Sequence, residues 1–131
     1  MNEEITKSHL LILHLKAYIM AKSEFVNYII DLLSPYGYIR VRSMFGGHSV
    51  YRDGVIVGII VDDELYFKVN EQSVYDYKSK GSKPFTYEAR NKLITMSYWQ
   101  VPLDIIEDKD LLGNWLDAAY QISFNTRNKK K

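Results

Sequence analysis

The stretch YIRVRSMFGGHSVYRDGVIVGIIV, residues 38–61, predicts a sheet built from short antiparallel strands. Its first five residues alternate, so that two apolar side chains point to one face and two arginines to the other. The paired glycines Gly46-Gly47 predict a bulge or a tight bend. Asp53-Gly54 is typical of a two-residue hairpin, and residues 55–61 are apolar on both faces, which predicts a central strand.

A helix is predicted immediately before this stretch. Ser23 is a suitable N-cap, and Glu24 stands in the first turn, where an acid interacts favourably with the helix dipole. Ser34-Pro35-Tyr36-Gly37 should end the helix, because proline cannot continue it and glycine permits the exit. The apolar residues between these signals recur at the spacing of one helical face: Phe25, Tyr28, Ile29, Leu32 and Leu33.

Further elements are predicted after residue 61. Asp62-Asp63 turns the chain into a strand over residues 65–69, and Asn70 caps a short helix over residues 71–80. Two strands occupy residues 85–88 and 93–99 and are linked near Arg90-Asn91, and a last helix starts near residue 108. The apolar stripe of that helix is Leu111, Leu112, Trp115, Leu116, Ala119 and Tyr120.

The predicted order is α-ββββ-α-ββ-α. Strands joined mainly by tight turns are largely antiparallel, so we expect an α+β fold with a sheet of about five or six strands covered by helices. The 131 residues suffice for one domain. We assign residues 20–124 to that domain, residues 125–131 to a basic tail, and residues 1–19 to an N-terminal extension.

The N-terminal extension contains an apolar run, residues 10–20, that is interrupted by His14 and Lys16. About 20 apolar residues are needed to span a bilayer, so we expect no membrane partner. Glu3 and Glu4 do not fit a signal peptide. We interpret the extension either as an additional helix packed on the body or on a partner, or as a dispensable segment ahead of a start at Met20.

Composition restricts the function further. Cysteine is absent, which excludes disulfides and cysteine-based sites and fits a reducing, cytoplasmic compartment. The formal net charge is +1, but four of the 17 basic residues end the chain with no acid among them: Arg127, Lys129, Lys130 and Lys131. The remaining 13 basic residues stand against 16 acidic ones, a net charge of −3. The body therefore lacks the overall positive charge typical of nucleic-acid-binding proteins.

No catalytic or metal-binding constellation is recognisable. His9 and His14 have a spacing that does not share one helical face, and His48 has no ligand-spaced partner. Ser43, His48 and Asp53 include the residue types of a hydrolase triad, but the serine lacks the surrounding nucleophile pattern. We therefore expect no metal, no cofactor and no enzymatic activity.

Basic residues cluster around the predicted fifth strand, with Phe85 and Tyr87 interleaved and only Glu88 opposing them. Such a surface can contact phosphates, although a solvated sheet face has the same composition. The candidate phosphate contacts are Lys78, Lys80, Lys83, Arg90 and Lys92. Four more cations can line up across neighbouring strands: Arg40, Arg42, Arg52 and Lys68.

Seven short motifs stand in order along the chain: Arg42-Ser43-Met44-Phe45-Gly46-Gly47, Tyr51-Arg52-Asp53-Gly54, Leu65-Tyr66-Phe67-Lys68, Phe85-Thr86-Tyr87, Met96-Ser97-Tyr98-Trp99-Gln100-Val101-Pro102, Glu107-Asp108 and Trp115. In this order and spacing they resemble the N-terminal domain of the TfoX/Sxy family, over residues 20–124. His48-Ser49-Val50 departs from the family, which commonly continues there with a further glycine and an aliphatic residue.

The resemblance implies a non-enzymatic α+β domain with a layout similar to secretion-chaperone-like domains, which often pair as dimers. Two-domain members include bacterial regulators of natural competence that act with the cyclic-AMP receptor protein to switch on DNA-uptake genes. The 131 residues include no counterpart of the C-terminal helical domain of such members. We therefore expect a stand-alone N-terminal domain.

We interpret the chain as a regulatory interaction domain with a protein partner, for which the resemblance implies a transcription factor of the cyclic-AMP receptor type. The bend and its neighbours are the expected binding residues, together with two aromatic residues: Arg42, Phe45, Gly46, Gly47, His48, Tyr98 and Trp99. The aromatic members can equally be core residues. Two alternatives stay open, namely a direct nucleic-acid-binding module and a homodimeric chaperone-like adaptor.

Overall fold

The computed structural model of the chain describes residues 24–44 and 46–129, with side chains as far as residue 127. The predicted extension over residues 1–19, the predicted binding residue Phe45 and the last two lysines of the basic tail lie outside the described residues.

In the described residues, six strands form one antiparallel sheet in the order β1-β2-β3-β4-β6-β5. The first four strands follow one another as a meander, and the last two form a hairpin whose second strand lies beside β4. The predicted α+β class and the antiparallel sheet are therefore confirmed. The strands are β1 (Ile39–Met44), β2 (Gly47–Arg52), β3 (Val55–Val61), β4 (Glu64–Lys68), β5 (Pro84–Ala89) and β6 (Lys92–Gln100).

Two-residue turns close three of the hairpins with both residues at positive φ. Asp53-Gly54 has φ values of 49° and 82°, Asp62-Asp63 of 50° and 58°, and Arg90-Asn91 of 52° and 62°. Turns of this kind match the right-handed twist of the strands that they join. All three turns stand where the sequence predicts them, and they hold adjacent strands in register.

The helices are α1 over residues 24–33, followed by a 3-10 turn at Ser34–Tyr36, then α2 (Val74–Ser79), α3 (Leu103–Ile106) and α4 (Lys109–Lys129). Helix α2 begins later than predicted, because Asn70 Oδ1 accepts hydrogen bonds from the Gln72 and Ser73 amides and forms a turn there. The four-residue helix α3 is not predicted at all. Helix α4 continues through most of the segment assigned to the basic tail.

The helices pack against one face of the sheet. Ile29 and Leu33 from α1 and Leu112 and Leu116 from α4 share one core cluster with strand residues that include Phe67. The prediction of the buried helical stripes is wrong at two residues, because the buried stripe of each helix is narrower than its apolar stripe. Tyr28 is 50% exposed and Leu111 is 40% exposed.

The opposite face of the sheet carries polar, aromatic and aliphatic side chains. Strand alternation places Arg40, Tyr51, Ile59 and Tyr66 there, out of the helix-covered core. Parts of this face are nevertheless buried, since Ile59 is only 2% exposed. Among the described helices, none combines the length and the apolar character that a membrane span requires.

Candidate interaction site

The two glycines of the predicted bend have different physical roles. Gly46 has a φ of 69°, in the left-handed region that favours glycine. Gly47 begins β2 opposite Val61, and a Cβ atom at this position would overlap the carbonyl oxygen of Ile60. The first glycine therefore permits the turn, and the second permits the close approach of β2 to β3.

A cleft of about 240 Å³ lies beside this turn. Strands β2 and β3 are paired, so the glycine turn and the turn that follows β3 lie at the same end of the sheet. Helix α1 contributes one side chain from the helix-covered side. We call this cavity the glycine-turn cleft. Its lining residues are Val26, Gly46, Gly47, His48, Ile60, Asp62 and Asp63.

The lining combines apolar and acidic groups. Val26 and Ile60 supply aliphatic surface, His48 supplies an imidazole, and Asp62 and Asp63 supply two exposed carboxylates. Such a lining suits the aliphatic stem and the cationic end of a lysine or arginine side chain. It repels phosphate. Across the described residues, no group of three His, Asp or Glu side chains could hold a metal ion.

Arg42 does not join His48, although both were predicted as binding residues. Arg42 pairs with Ser49, whereas His48 pairs with Ser43, so strand alternation puts the two side chains on opposite faces. Arg42 is exposed and lines a second cleft of about 210 Å³, together with Arg40, Tyr51 and Gly54.

Tyr98 and Trp99 are consecutive in β6 and also point to opposite faces, and neither lines the glycine-turn cleft. Tyr98 is 7% exposed, and the Lys68 ammonium lies 5.0 Å from its ring centroid. Burial, with the nearby Tyr51, raises the pKa of the Tyr98 hydroxyl. Trp99 packs against the core cluster. The packing of both residues agrees with their interpretation as core residues.

The five candidate phosphate contacts do not form one patch. Lys80 forms an ion pair with Asp104 at 2.5 Å, which lowers the pKa of that carboxyl through the hydrogen bond from Lys80. Lys78 lies 6.0 Å from the Trp99 ring centroid. Arg90 and Lys92 stand at the turn of the β5–β6 hairpin, about 20 Å along β5 from the end at which this strand begins.

The predicted alignment of four cations is wrong for Arg52. Arg52 pairs with Ile39, so its side chain lies on the helix-covered face, opposite to Arg40. There it forms ion pairs with Asp53 and Asp117, and its guanidinium lies 4.9 Å from the Tyr120 ring centroid. Arg52 therefore joins the sheet to α4 instead of extending a basic surface.

Comparison with known proteins identifies the family to which this architecture belongs. The family model of the TfoX N-terminal domain matches residues 31–123, which include all six strands and the glycine-turn motif. The chain belongs to the TfoX N-terminal domain family. It is also 30% identical over 71 residues to Protein Sxy of Escherichia coli (strain K12), an alignment that covers 54% of this chain. The aligned part is 34% of the length of Protein Sxy, about one third.

In this TfoX N-terminal domain, the family match includes both hairpin turns that line the cleft but not Val26. The sequence alone assigns Asp62 and Asp63 to a turn and does not identify them as cleft residues. The signal that identifies them is the strand register. Gly47 pairs with Val61, so the turn after β3 must lie beside the turn before β2.

Proposed function

We propose that this TfoX N-terminal domain is a non-enzymatic regulatory module that acts through protein contacts, and that the glycine-turn cleft receives a basic side chain of the partner. The observation that carries the proposal is the lining of the cleft by Asp62, Asp63 and His48 over an aliphatic floor. Because the side chains are acidic, a protein partner suits this cleft better than a nucleic acid does.

The family membership suggests the class of partner. Protein Sxy is similar over half of this chain, and the resemblance to regulators of natural competence favours a transcription factor of the cyclic-AMP receptor type. We propose a role in competence or a related transcriptional response on that basis. A cytoplasmic location, where such a partner acts, belongs to the same proposal.

Direct nucleic-acid binding is supported less well. The body carries a net charge of −3 without its four terminal cations, and Lys80 is paired with Asp104. Among the predicted binding residues, Tyr98 offers no open ring, since it is 7% exposed and has the Lys68 ammonium over its ring. Stacking of bases requires accessible rings.

Calorimetric titration of a cyclic-AMP receptor protein into the 131-residue chain tests the proposal. The double substitution Asp62→Asn/Asp63→Asn removes both cleft charges, and asparagine tolerates the left-handed backbone of the turn. We expect about a tenfold weaker affinity and a shallower salt dependence. The matched control, Glu71→Gln/Glu107→Gln, removes two exposed charges elsewhere and should bind like the unmodified chain.

DNA-binding anisotropy over a salt series separates the remaining outcomes. DNA binding that requires the receptor protein supports a regulatory role through protein contacts. Binding without it, with a steep loss of affinity as salt increases, would instead establish a direct nucleic-acid module. No titration signal with the receptor protein would contradict the proposed partner.

A further inference from the structure

The two edges of the sheet differ in how they are protected against pairing with another chain. In the described part of the chain, β1 ends the sheet on one side and β5 ends it on the other. β1 carries Arg40 and Arg42, both exposed. β5 carries only Glu88 as a charged residue, and its proline stands at the first position. Natural edge strands are commonly protected by charges, especially cations, or by proline within the strand.

Self-pairing of β1 is disfavoured by its own sequence. In an antiparallel pair of identical strands about a two-fold axis, centring on Val41 would bring Arg40 against Arg42 of the other copy. Centring on either arginine would oppose that residue to itself. Like charges directly opposite each other are destabilising. The registers centred on residues 40, 41 and 42 are therefore disfavoured for a second copy at the β1 edge.

The β5 edge has the complementary property. Centring a two-fold axis on Tyr87 would place Tyr87 opposite its own copy, Phe85 opposite Ala89, and Thr86 opposite Glu88. No like charges meet, and the apolar residues of one face stay together. We propose that two copies of this chain pair antiparallel through β5 about Tyr87, which joins their sheets edge to edge.

The alternative registers fit less well. An axis at Glu88 would oppose two carboxylates. An axis at Thr86 would place Pro84, which has no amide hydrogen, within the new ladder. It would also centre the pairing next to the irregularity between Pro84 and Thr86. The axis at Tyr87 leaves Pro84 outside the central five residues.

A row of aromatic rings leads to this edge. The rings of Tyr66 and Phe85 are 5.5 Å apart in an edge-to-face arrangement, and those of Phe85 and Tyr87 are 6.2 Å apart and stacked. Tyr87 remains 44% exposed at the end of the row. Pairing through β5 would bring the two rows together at the axis, so the exposed ring would gain an aromatic partner.

The proposed pairing is independent of the glycine-turn cleft. The cleft is formed at β2 and β3, whereas β5 is the last strand on the other side of the sheet. A second copy at β5 would leave the cleft of each copy accessible, and the failure of either proposal would not affect the other.

Disulfide trapping tests the pairing directly, because the chain contains no cysteine. Residues directly opposite in an antiparallel pair have Cα atoms about 4.5–5.5 Å apart, which a disulfide can bridge. We expect Tyr87→Cys to form a covalent dimer under mild oxidation. The control Leu93→Cys places a thiol at a 68% exposed position of β6, on the other face of the hairpin, and should stay monomeric on denaturing gels.

Charge variants at Thr86 test the register by sedimentation equilibrium. In the Thr86→Lys variant, the new lysine of each copy would lie opposite Glu88 of the other copy, which gives two attractive pairs per dimer. We therefore expect the dimer dissociation constant to fall about tenfold. Thr86→Glu should raise it about tenfold. The controls Thr95→Lys and Thr95→Glu carry the same charges on the strand paired with β5 and should leave it nearly unchanged.

Two results would overturn the proposal. One is a monomeric unmodified chain at tens of micromolar, with no cross-link through Tyr87→Cys. The other is a dimer that Thr86→Lys weakens or Thr86→Glu strengthens, because the two copies would then associate through a different surface or register. Circular dichroism spectra that match the unmodified chain would confirm that each variant is folded.

Discussion

Arg52 in β2 and Asp117 in α4 form an ion pair across the interface between sheet and helix. The two partners differ in environment, since the Arg52 side chain is 19% exposed and the Asp117 side chain is 59% exposed. Arg52 also contacts the Tyr120 ring and the Asp53 carboxylate. The pair is therefore energetically asymmetric, and most of its contribution to stability should come from the packing of the arginine.

Arg52→Ala should lower the free energy of unfolding by about 2 kcal/mol, because it removes the cation–π contact and the buried side-chain stem along with the ion pair. Asp117→Ala should cost less than about 1 kcal/mol, as is typical of a pair with one exposed partner. Urea denaturation of the two variants measures both values. Arg40→Ala, at an exposed position of β1, is the control and should change stability by less than about 0.5 kcal/mol. Equal losses at Arg52 and Asp117 would contradict this asymmetry.

The adjacent glycines of the bend should respond differently to substitution. Gly47→Ala forces a Cβ atom against the Ile60 carbonyl, so β2 and β3 must separate, at a cost of about 2–3 kcal/mol. A Cβ atom at Gly46 meets nothing within 4 Å, so Gly46→Ala should cost only about 1–2 kcal/mol of backbone strain. Gly46→Asn should be tolerated better than Gly46→Ala, because asparagine adopts the left-handed region more readily. Chemical denaturation of the three variants gives the order, and a larger loss at Gly46 than at Gly47 would contradict it.

Alkaline pH should destabilise the domain through Tyr77. Burial raises the pKa of the Tyr77 hydroxyl well above its ordinary value of 10.0. Above pH 10 the unfolded chain loses this proton while the folded chain keeps it, so the free energy of unfolding falls as pH rises. Tyr77→Phe should reduce that slope between about pH 9 and 11, and Tyr75→Phe, at a 69% exposed position of the same helix, is the matched control. Denaturation midpoints across this pH range provide the measurement. Identical slopes in both variants would show that other tyrosines cause the alkaline loss.

Local sequence signals predict much of this fold. The turns at Asp53-Gly54 and Asp62-Asp63 form where residues that tolerate positive φ stand together, and the intervening strand is apolar on both faces, as predicted. The misses have physical reasons. Helix α3 has only four residues and no periodic stripe. The pairing of β6 with β4 depends on how the chain crosses α2, which no local pattern specifies.

The candidate site was predictable only in part. The glycines and His48 were identified from the bend, but the acids that share their cleft come from a turn fifteen residues further on. Arg42 and His48 are close in sequence, yet strand alternation separates them onto opposite faces. His48 is one residue away from Ser49, the register partner of Arg42. Because side chains alternate between faces with a period of two, residues that are close in sequence can lie on opposite faces of a sheet.

Gly113 and Tyr36 should show strong energetic coupling. A Cβ atom at Gly113 in α4 would lie 2.8 Å from Tyr36 Cε1, and the Tyr36 hydroxyl donates a 2.6 Å hydrogen bond to the Lys109 carbonyl. Gly113→Ala should therefore destabilise the domain by about 1 kcal/mol, because displacement of the ring outweighs the better helix propensity of alanine.

With Tyr36 replaced by alanine the ring is gone, and the same Gly113→Ala substitution should stabilise the domain by about 0.5–1 kcal/mol. A double-mutant cycle measured by urea denaturation gives the coupling directly. Asn114→Ala, at the neighbouring exposed position of α4, serves as the control and should have the same effect in both backgrounds. If Gly113→Ala has the same sign with and without the Tyr36 ring, then contact with that ring is not what requires glycine in this helix.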